Sequence, residues 1–153
     1  MAQRGGSVIT HVRIGEQVYA PLVAAGSADY LLAFEPLEAA RAMAYLKPDG
    51  KLIVSTQRIS PMSVLSGAAT YPEEPYLALL NGAQTVQSLD AYALAVDAGS
   101  YKAVNIVLLG VLSQHLGYSP ETWGDAIAAC VPQRTLESNQ KAFASGREYH
   151  FTA

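Results

Sequence analysis

The amino-acid sequence predicts a three-layer α/β/α domain with a β-hairpin at one side. Three observations carry this: a wholly apolar strand-like run at residues 30–34, a second strand at 51–55 reached through a helical stretch, and a helix at 103–116 that is apolar almost all round. A strand covered on both faces reads as a continuous apolar run, whereas a strand with one wet face alternates.

The alternating pattern comes first. In residues 7–14, Val8, Thr10, Val12 and Ile14 share one side and Ser7, Ile9, His11 and Arg13 the other, the mark of a half-buried strand. Gly15 and Glu16 suit a two-residue turn, and residues 17–20 return before Pro21, completing the hairpin. After the apolar strand at 30–34, Glu35-Pro36 opens a helix with Leu37, Ala40 and Ala44 at inward spacing. Lys47-Pro48-Asp49-Gly50 ends that helix with turn chemistry, and the strand at 51–55 closes a strand-helix-strand unit.

Residues 56–72 carry Pro61, Gly67 and Pro72 and read as an extended excursion, followed by a short helix at 73–80. A strand at 85–88 precedes Asp90, an N-cap for a helix at 91–97 that Gly99 stops. The helix at 103–116 is expected to be buried, with Asn105 forming an internal hydrogen bond. Ser119, Pro120 and Glu121 supply a cap, an N1 proline and a first-turn acid for a helix that turns Trp123 and Ile127 inward. A last helix at 133–145 points Leu136 and Phe143 to the core, and Gly146 is expected to stop it.

Composition narrows the function. With 153 residues, 50% hydrophobic and 15% charged, the chain suits one core, and a single domain over 1–153 is expected. The net charge of -3 and scattered Lys and Arg provide no field to gather nucleic acid. One cysteine excludes an internal disulfide and cannot hold an iron-sulphur cluster, and Cys130 reads as a small packed thiol in a cytoplasmic protein. The most apolar stretch, residues 103–112, is too short to span a bilayer, so a soluble protein is expected.

The three histidines, at 11, 115 and 150, have no metal-ligand spacing. Neither a P-loop nor a Gly-x-Gly-x-x-Gly turn is present, and no nucleophile stands beside a base. In open α/β sheets ligands gather at the carboxyl ends of strands, which draws attention to Phe34-Glu35-Pro36 and Ser55-Thr56-Gln57, expected on one rim. Glu35 there is either an acidic helix-start residue or a ligand contact. Gln3, Arg4, Gly5 and Gly6 combine close backbone approach with a guanidinium suited to phosphate or carboxylate.

The order of motifs resembles one family. Met1-Ala2-Gln3-Arg4-Gly5-Gly6-Ser7-Val8 and Thr10-His11-Val12-Arg13 lead into Leu31-Leu32-Ala33-Phe34-Glu35-Pro36-Leu37-Glu38-Ala39. Tyr45-Leu46-Lys47-Pro48 with Gly50, Val64-Leu65-Ser66-Gly67-Ala68 and Lys102-Ala103-Val104-Asn105 with Leu108-Leu109-Gly110 follow. Val131-Pro132, Asn139, Ala142-Phe143 and Gly146 close the series. Together they resemble the gamma-type domain of the pyruvate and 2-oxoacid:ferredoxin oxidoreductases, closest to the beta subunits of the indolepyruvate branch.

That resemblance implies a Rossmann-like domain from which the family's first strand-helix unit, with its glycine-rich turn, is missing. It also implies an accessory role in an enzyme that decarboxylates indolepyruvate or other arylpyruvates to acyl-CoA, with ferredoxin as acceptor. Thiamine diphosphate and iron-sulphur clusters would sit in a large partner subunit, and this chain alone would be inactive. Gln3, Arg4, Gly5, Gly6 and Glu35 are the residues expected to face a cofactor or coenzyme A. The alternative reading is a freestanding small-ligand-binding or regulatory α/β module derived from such a subunit, a possible homo-oligomer.

Overall fold

The computed structural model describes residues 8–74, 78 and 85–151. Its centre is a parallel sheet of three strands in the order β1-β2-β3: β1 (Ala28–Ala33), β2 (Leu46–Ser55) and β3 (Val86–Leu89). Leu52, Ile53 and Val54 of β2 have no exposed surface, so this strand is covered on both faces as its unbroken apolar run requires. Burying each such side chain stabilises the fold by about 1.5–3 kcal/mol.

Alternation along β2 divides the core in two. Leu52 and Val54 face one side with Ala33, Leu31 and Val86, where α1 (Pro36–Ala42) supplies Ala39. Ile53 faces the other with Leu32 and Leu89, against α3 (Ala91–Asp97), α4 (Val104–Ser113) and α6 (Leu136–Arg147). Helices on both faces of a parallel sheet make the expected α/β/α layering. A short α2 (Met62–Leu65) interrupts the excursion after β2, and α5 (Pro120–Cys130) packs on α6.

Several helix starts are set as the sequence indicates. The Asp90 carboxylate accepts from the Ala93 N–H at 2.9 Å, and the Ser119 hydroxyl accepts from Thr122 N–H at 3.2 Å ahead of Pro120. Gly99 ends α3 with a φ of 98°, a left-handed turn that glycine adopts without penalty. Trp123 is half-buried against Phe143, with ring centroids 5.5 Å apart, and Ile127 is buried.

The hairpin expected at 7–20 is not formed. Gly15 and Glu16 do make a bend, but among the described residues neither arm pairs as a strand. A two-stranded ribbon needs something to cover its apolar face, and here Val8, Val12 and Ile14 lie exposed. Polar side chains hold the segment instead: His11 Nδ1 accepts from the Val23 N–H at 3.1 Å, and the Arg13 guanidinium donates to the carbonyls of Ala20 and Leu22 at 3.0 and 3.3 Å.

Four smaller expectations also change. Residues 46–50 are not a free turn but the irregular start of β2, where the register jumps between Ala28↔Leu46 and Tyr30↔Lys51 and Lys47 pairs with Asp29 at 2.7 Å. Ala39 and Ala42 face the core from α1 while Ala44 is exposed, because the chain tightens into a 3₁₀ turn at Met43–Tyr45. Asn105 and Cys130 are exposed, so neither needs the internal partner or packing the sequence suggested. The helix expected at 73–80 falls largely outside the described residues.

Gly146 does not stop the last helix; it lies inside α6, where that helix crosses α4. A Cβ there would stand 2.0 Å from the Val107 carbonyl oxygen, and one on Gly110 would stand 2.3 Å from that of Phe143. The two backbones therefore meet with nothing between them. Polar groups seal the crossing: Ser113 Oγ donates to the Gly110 carbonyl at 2.6 Å and accepts from Arg147 at 3.0 Å, and Gln114 Nε2 donates to the carbonyls of Gly146, Arg147 and Tyr149. Helix α6 ends where those carbonyls find Gln114, not where glycine appears.

Gly146→Ala is expected to force α4 and α6 apart and destabilise the chain by about 1–3 kcal/mol, read by thermal or urea unfolding. Gly124→Ala, in α5 with open space at its Cβ position, serves as the control and should be neutral or stabilising by about 0.5–1 kcal/mol. Equal behaviour of the two variants would remove the close crossing as a determinant of stability.

Candidate functional site at the carboxyl rim of the sheet

Parallel strands end together, and the register brings their carboxyl ends to one rim. Ala33 lies beside Val54, Ser55 lies beside Leu89, and the Thr56 N–H donates to the Leu89 carbonyl at 2.9 Å. The segments Phe34-Glu35-Pro36 and Ser55-Thr56-Gln57 thus share the rim, as the order of strands and helices implied. Ser55 is buried, and its hydroxyl accepts from the Gln57 N–H at 3.3 Å, turning the chain out of the sheet.

Glu35 is the buried acid of this rim, with 4% of its surface exposed. Its Oε2 accepts from the Glu38 N–H at 3.0 Å, making it the N-cap of α1 ahead of Pro36. Its Oε1 accepts from the Tyr71 hydroxyl. Both carboxylate oxygens are engaged within the chain, which favours the helix-start reading of this residue. A buried carboxylate is costly unless such donors compensate it.

Tyr71 reaches Glu35 from the excursion that follows β2. Desolvation of the phenol comes first among the causes that push its pKa up to about 12, and the hydrogen bond to Glu35 and that residue's charge add to it. The Leu37 N–H and the Arg58 charge pull in the opposite direction. Arg58 lies over the Tyr71 ring at 5.5 Å from its centroid and pairs with Glu73 at 2.6 Å. Both partners of that ion pair are about half exposed, so it contributes little to stability; its effect is to orient the guanidinium over the ring.

The arrangement ties residues 58–73 across the end of the sheet through a neutral phenol and a committed carboxylate. Tyr71 and Arg58 were not legible as site residues: 36 positions separate Tyr71 from Glu35, and no local spacing signals the pair. Gln3, Arg4, Gly5 and Gly6 lie outside the described residues. The histidines are dispersed, with His11 edge-on to Tyr45 and His115 Nε2 at 2.8 Å from Gln87 Oε1 while its ring stacks on Tyr30. Burial and then the Lys51 charge lower the His115 pKa.

Among the described residues no three His, Cys, Asp or Glu side chains converge as a metal-holding group. A separate groove of about 500 Å³ runs between α5 and α6, lined by Ile127, Phe143, Arg147 and His150 among others.

Comparison with known proteins decides the family. The model for pyruvate ferredoxin/flavodoxin oxidoreductase matches residues 1–149. The chain belongs to that family. It is 40% identical over 151 residues to a Thermococcus kodakarensis protein named indolepyruvate oxidoreductase subunit IorB, and 39% identical over 153 residues to the protein of that name from Pyrococcus horikoshii. Each match covers 95% of this chain and 75% of the relative.

A solved keto/oxoacid ferredoxin oxidoreductase gamma subunit from Geobacter sulfurreducens has a similar fold, with a TM-score of 0.59 and 27% identity over 78% of this chain. The chain spans 60% of that subunit's length. These similarities make the chain an accessory, gamma-type oxidoreductase subunit with a Rossmann-like α/β fold, as the sequence motifs implied.

Tyr71→Phe keeps the ring and deletes the donor to Glu35. It is expected to destabilise the chain by about 1–3 kcal/mol, measured by chemical unfolding at neutral pH. Because the folded pKa of Tyr71 stands above its ordinary value of 10.0, its contribution is fully present below that value and is lost as pH rises through about 12. A spectrophotometric titration of the nine tyrosines should show one late-ionising phenol that Tyr71→Phe removes; an unchanged titration curve would exclude the bond to Glu35.

Proposed function

We propose that this chain is the accessory subunit of a cytoplasmic 2-oxoacid:ferredoxin oxidoreductase that acts on indolepyruvate or related arylpyruvates. In the reaction, the bond between the carboxylate and the keto carbon breaks and carbon dioxide leaves. The acyl carbon is oxidised by two electrons and captured by coenzyme A as a thioester, and two ferredoxins each take one electron. The observation that carries this reading is the similarity to indolepyruvate oxidoreductase subunits, at 39–40% identity over 95% of the chain.

Thiamine diphosphate supplies the electron sink for such a decarboxylation, and iron-sulphur clusters supply one-electron relays. A cluster needs about four thiolates, whereas these 153 residues contain one cysteine. No electron-transfer step is therefore routed through this chain, and a larger partner subunit is assigned both groups. No helix among the described residues is long and apolar enough to cross a membrane.

Within the complex, the contribution of this chain is shape and surface. Glu35 holds the start of α1 and the residue 58–73 segment in place, so it acts on the rim through Tyr71 and the helix cap. Gln3, Arg4, Gly5 and Gly6 are assigned the contact with coenzyme A or the edge of the active site. A guanidinium there suits the phosphates of coenzyme A, which it can engage by charge-assisted hydrogen bonds.

The assembled enzyme tests this. With the larger subunit coexpressed, Arg4→Ala is expected to raise the KM for coenzyme A by about tenfold or more, the loss of one charge-assisted bond, while thermal unfolding of the complex is unchanged. Unaltered KM and turnover would remove Arg4 from the coenzyme A contact, and absence of decarboxylation by the wild-type complex would remove the proposed activity.

A further inference from the structure

His115 stands two residues past the end of α4 and touches both outer strands of the sheet at once. Its ring stacks on Tyr30 of β1, with centroids 5.9 Å apart and an interplanar angle of 15°, and its Nε2 lies 2.8 Å from Gln87 Oε1 of β3. The Tyr30 hydroxyl donates to the His115 carbonyl at 3.3 Å, serving one of the acceptors that a helix end leaves without an internal donor. One residue thus joins the end of a core helix to two strands that do not pair with each other.

The sheet prepares that position. Tyr30, Lys51 and Gln87 stand two residues before Leu32, Ile53 and Leu89, which pack together on the α4 face, and the period of a strand puts all three on that same face. They make a half-buried polar row on the amino-terminal side of the core cluster, and His115 closes over it. An imidazole there brings what an apolar closure would lack, a group able to take up a proton near neutral pH.

An amide oxygen can only accept, so the neutral ring carries its proton on Nε2 and the second proton enters at Nδ1. The bond to Gln87 does not oppose that step. What opposes it is first the burial of the ring and then the Lys51 charge, which hold the imidazole pKa below its ordinary value of 6.5. The other charged groups on the surrounding elements are engaged elsewhere. Asp29 of β1 and Asp49 of β2 pair with Lys47, Glu137 pairs with Lys141 on α6, and Arg147 donates to Ser113. Glu148 and His150 line the groove between α5 and α6, and Asp90 caps α3. Neither β3 nor α4 contains a charged residue, and residues 75–84, which lead into β3, carry none in the sequence.

We propose that His115 is a proton-sensitive bolt: neutral, it fastens the end of α4 to β1 and β3, and on taking a proton it swings away from Lys51 and frees that end from the sheet. The inference needs no partner subunit and stands apart from the proposed function. Because the folded pKa lies below 6.5, the fastening is fully present above that value and is lost as pH falls through the lower folded one. Protonation raises the ratio of released to fastened chains by about tenfold for every pH unit that separates the free midpoint from the folded one.

The test uses the full chain and two readouts. Imidazole nitrogen NMR, with His115→Gln assigning the signal, is expected to place the His115 midpoint below that of an unfolded peptide. Lys51→Met removes the charge but keeps most of the stem, and it is expected to raise that midpoint. Amide hydrogen exchange, corrected for the intrinsic effect of pH, is expected to show residues 111–117 opening more at about pH 5 than at about pH 7.5, by the factor that the NMR midpoint sets. In His115→Gln, whose amide can donate but does not ionise, the acid acceleration is expected to vanish.

An unmoved midpoint in Lys51→Met, or acid opening that persists in His115→Gln, would overturn the bolt. Exchange at 111–117 that ignores pH while the midpoint is lowered would overturn it too, and would leave His115 as a static packing group. Should His115→Gln not fold, Lys51→Met carries the test alone: a raised midpoint with proportionally smaller acid opening supports the bolt, and a raised midpoint with undiminished opening refutes it.

Discussion

The fold depends on burying β2 from both sides. Leu52 and Val54 cannot be dry unless α1 lies over one face, and Ile53 cannot be dry unless α3, α4 and α6 lie over the other. This single constraint fixes the layer order, with β1 joined to its parallel neighbour β2 through the helical crossover α1. It also sets the position of the rim, because parallel strands end together and the chain must leave each carboxyl end through a turn that satisfies its own backbone. Glu35 beyond β1, Ser55 at the end of β2 and Asp90 after β3 each accept a backbone N–H with an oxygen of the side chain.

The second layer succeeds because two helices approach closely enough to act as one. Gly110 and Gly146 remove the side chains that would hold α4 and α6 apart, and Ser113, Gln114 and Arg147 satisfy the polar groups that the close approach brings together. Gly146 illustrates how a residue type can mislead. Near the end of an amphipathic stretch a glycine signals a C-cap, but it equally permits backbone contact, and only the facing glycine 36 positions earlier in the chain distinguishes the two uses. That pairing is a tertiary fact with no local signature.

Much of the architecture was nevertheless legible. The runs at 30–34 and 51–55 read as strands and fall on β1 (Ala28–Ala33) and the end of β2, with Phe34 just past β1 and exposed, and Pro36, Asp90 and Ser119-Pro120 marked helix starts, because caps and buried strands are decided by neighbours in sequence. The rim was legible for the same reason, since it follows from strand order alone. What sequence reasoning missed were partners distant along the chain: Tyr71 and Arg58 against Glu35, Gln114 against the end of α6, and His115 against Gln87. Conversely, the apolar neighbours of Asn105 and Cys130 suggest interior roles, whereas α4 turns the first outward and the end of α5 the second.

The hairpin expected at residues 7–20 failed for a different reason, and the failure is informative. Alternation of apolar and polar residues records that one side of a segment is meant to be dry, without recording what keeps it dry. Among the described residues the outward-facing Val12, Ile14 and Tyr19 find no cover, and His11 and Arg13, which alternation assigns to water, hold the backbone. Alternation specifies that a face should be dry, and pairing into a ribbon follows only where something covers that face.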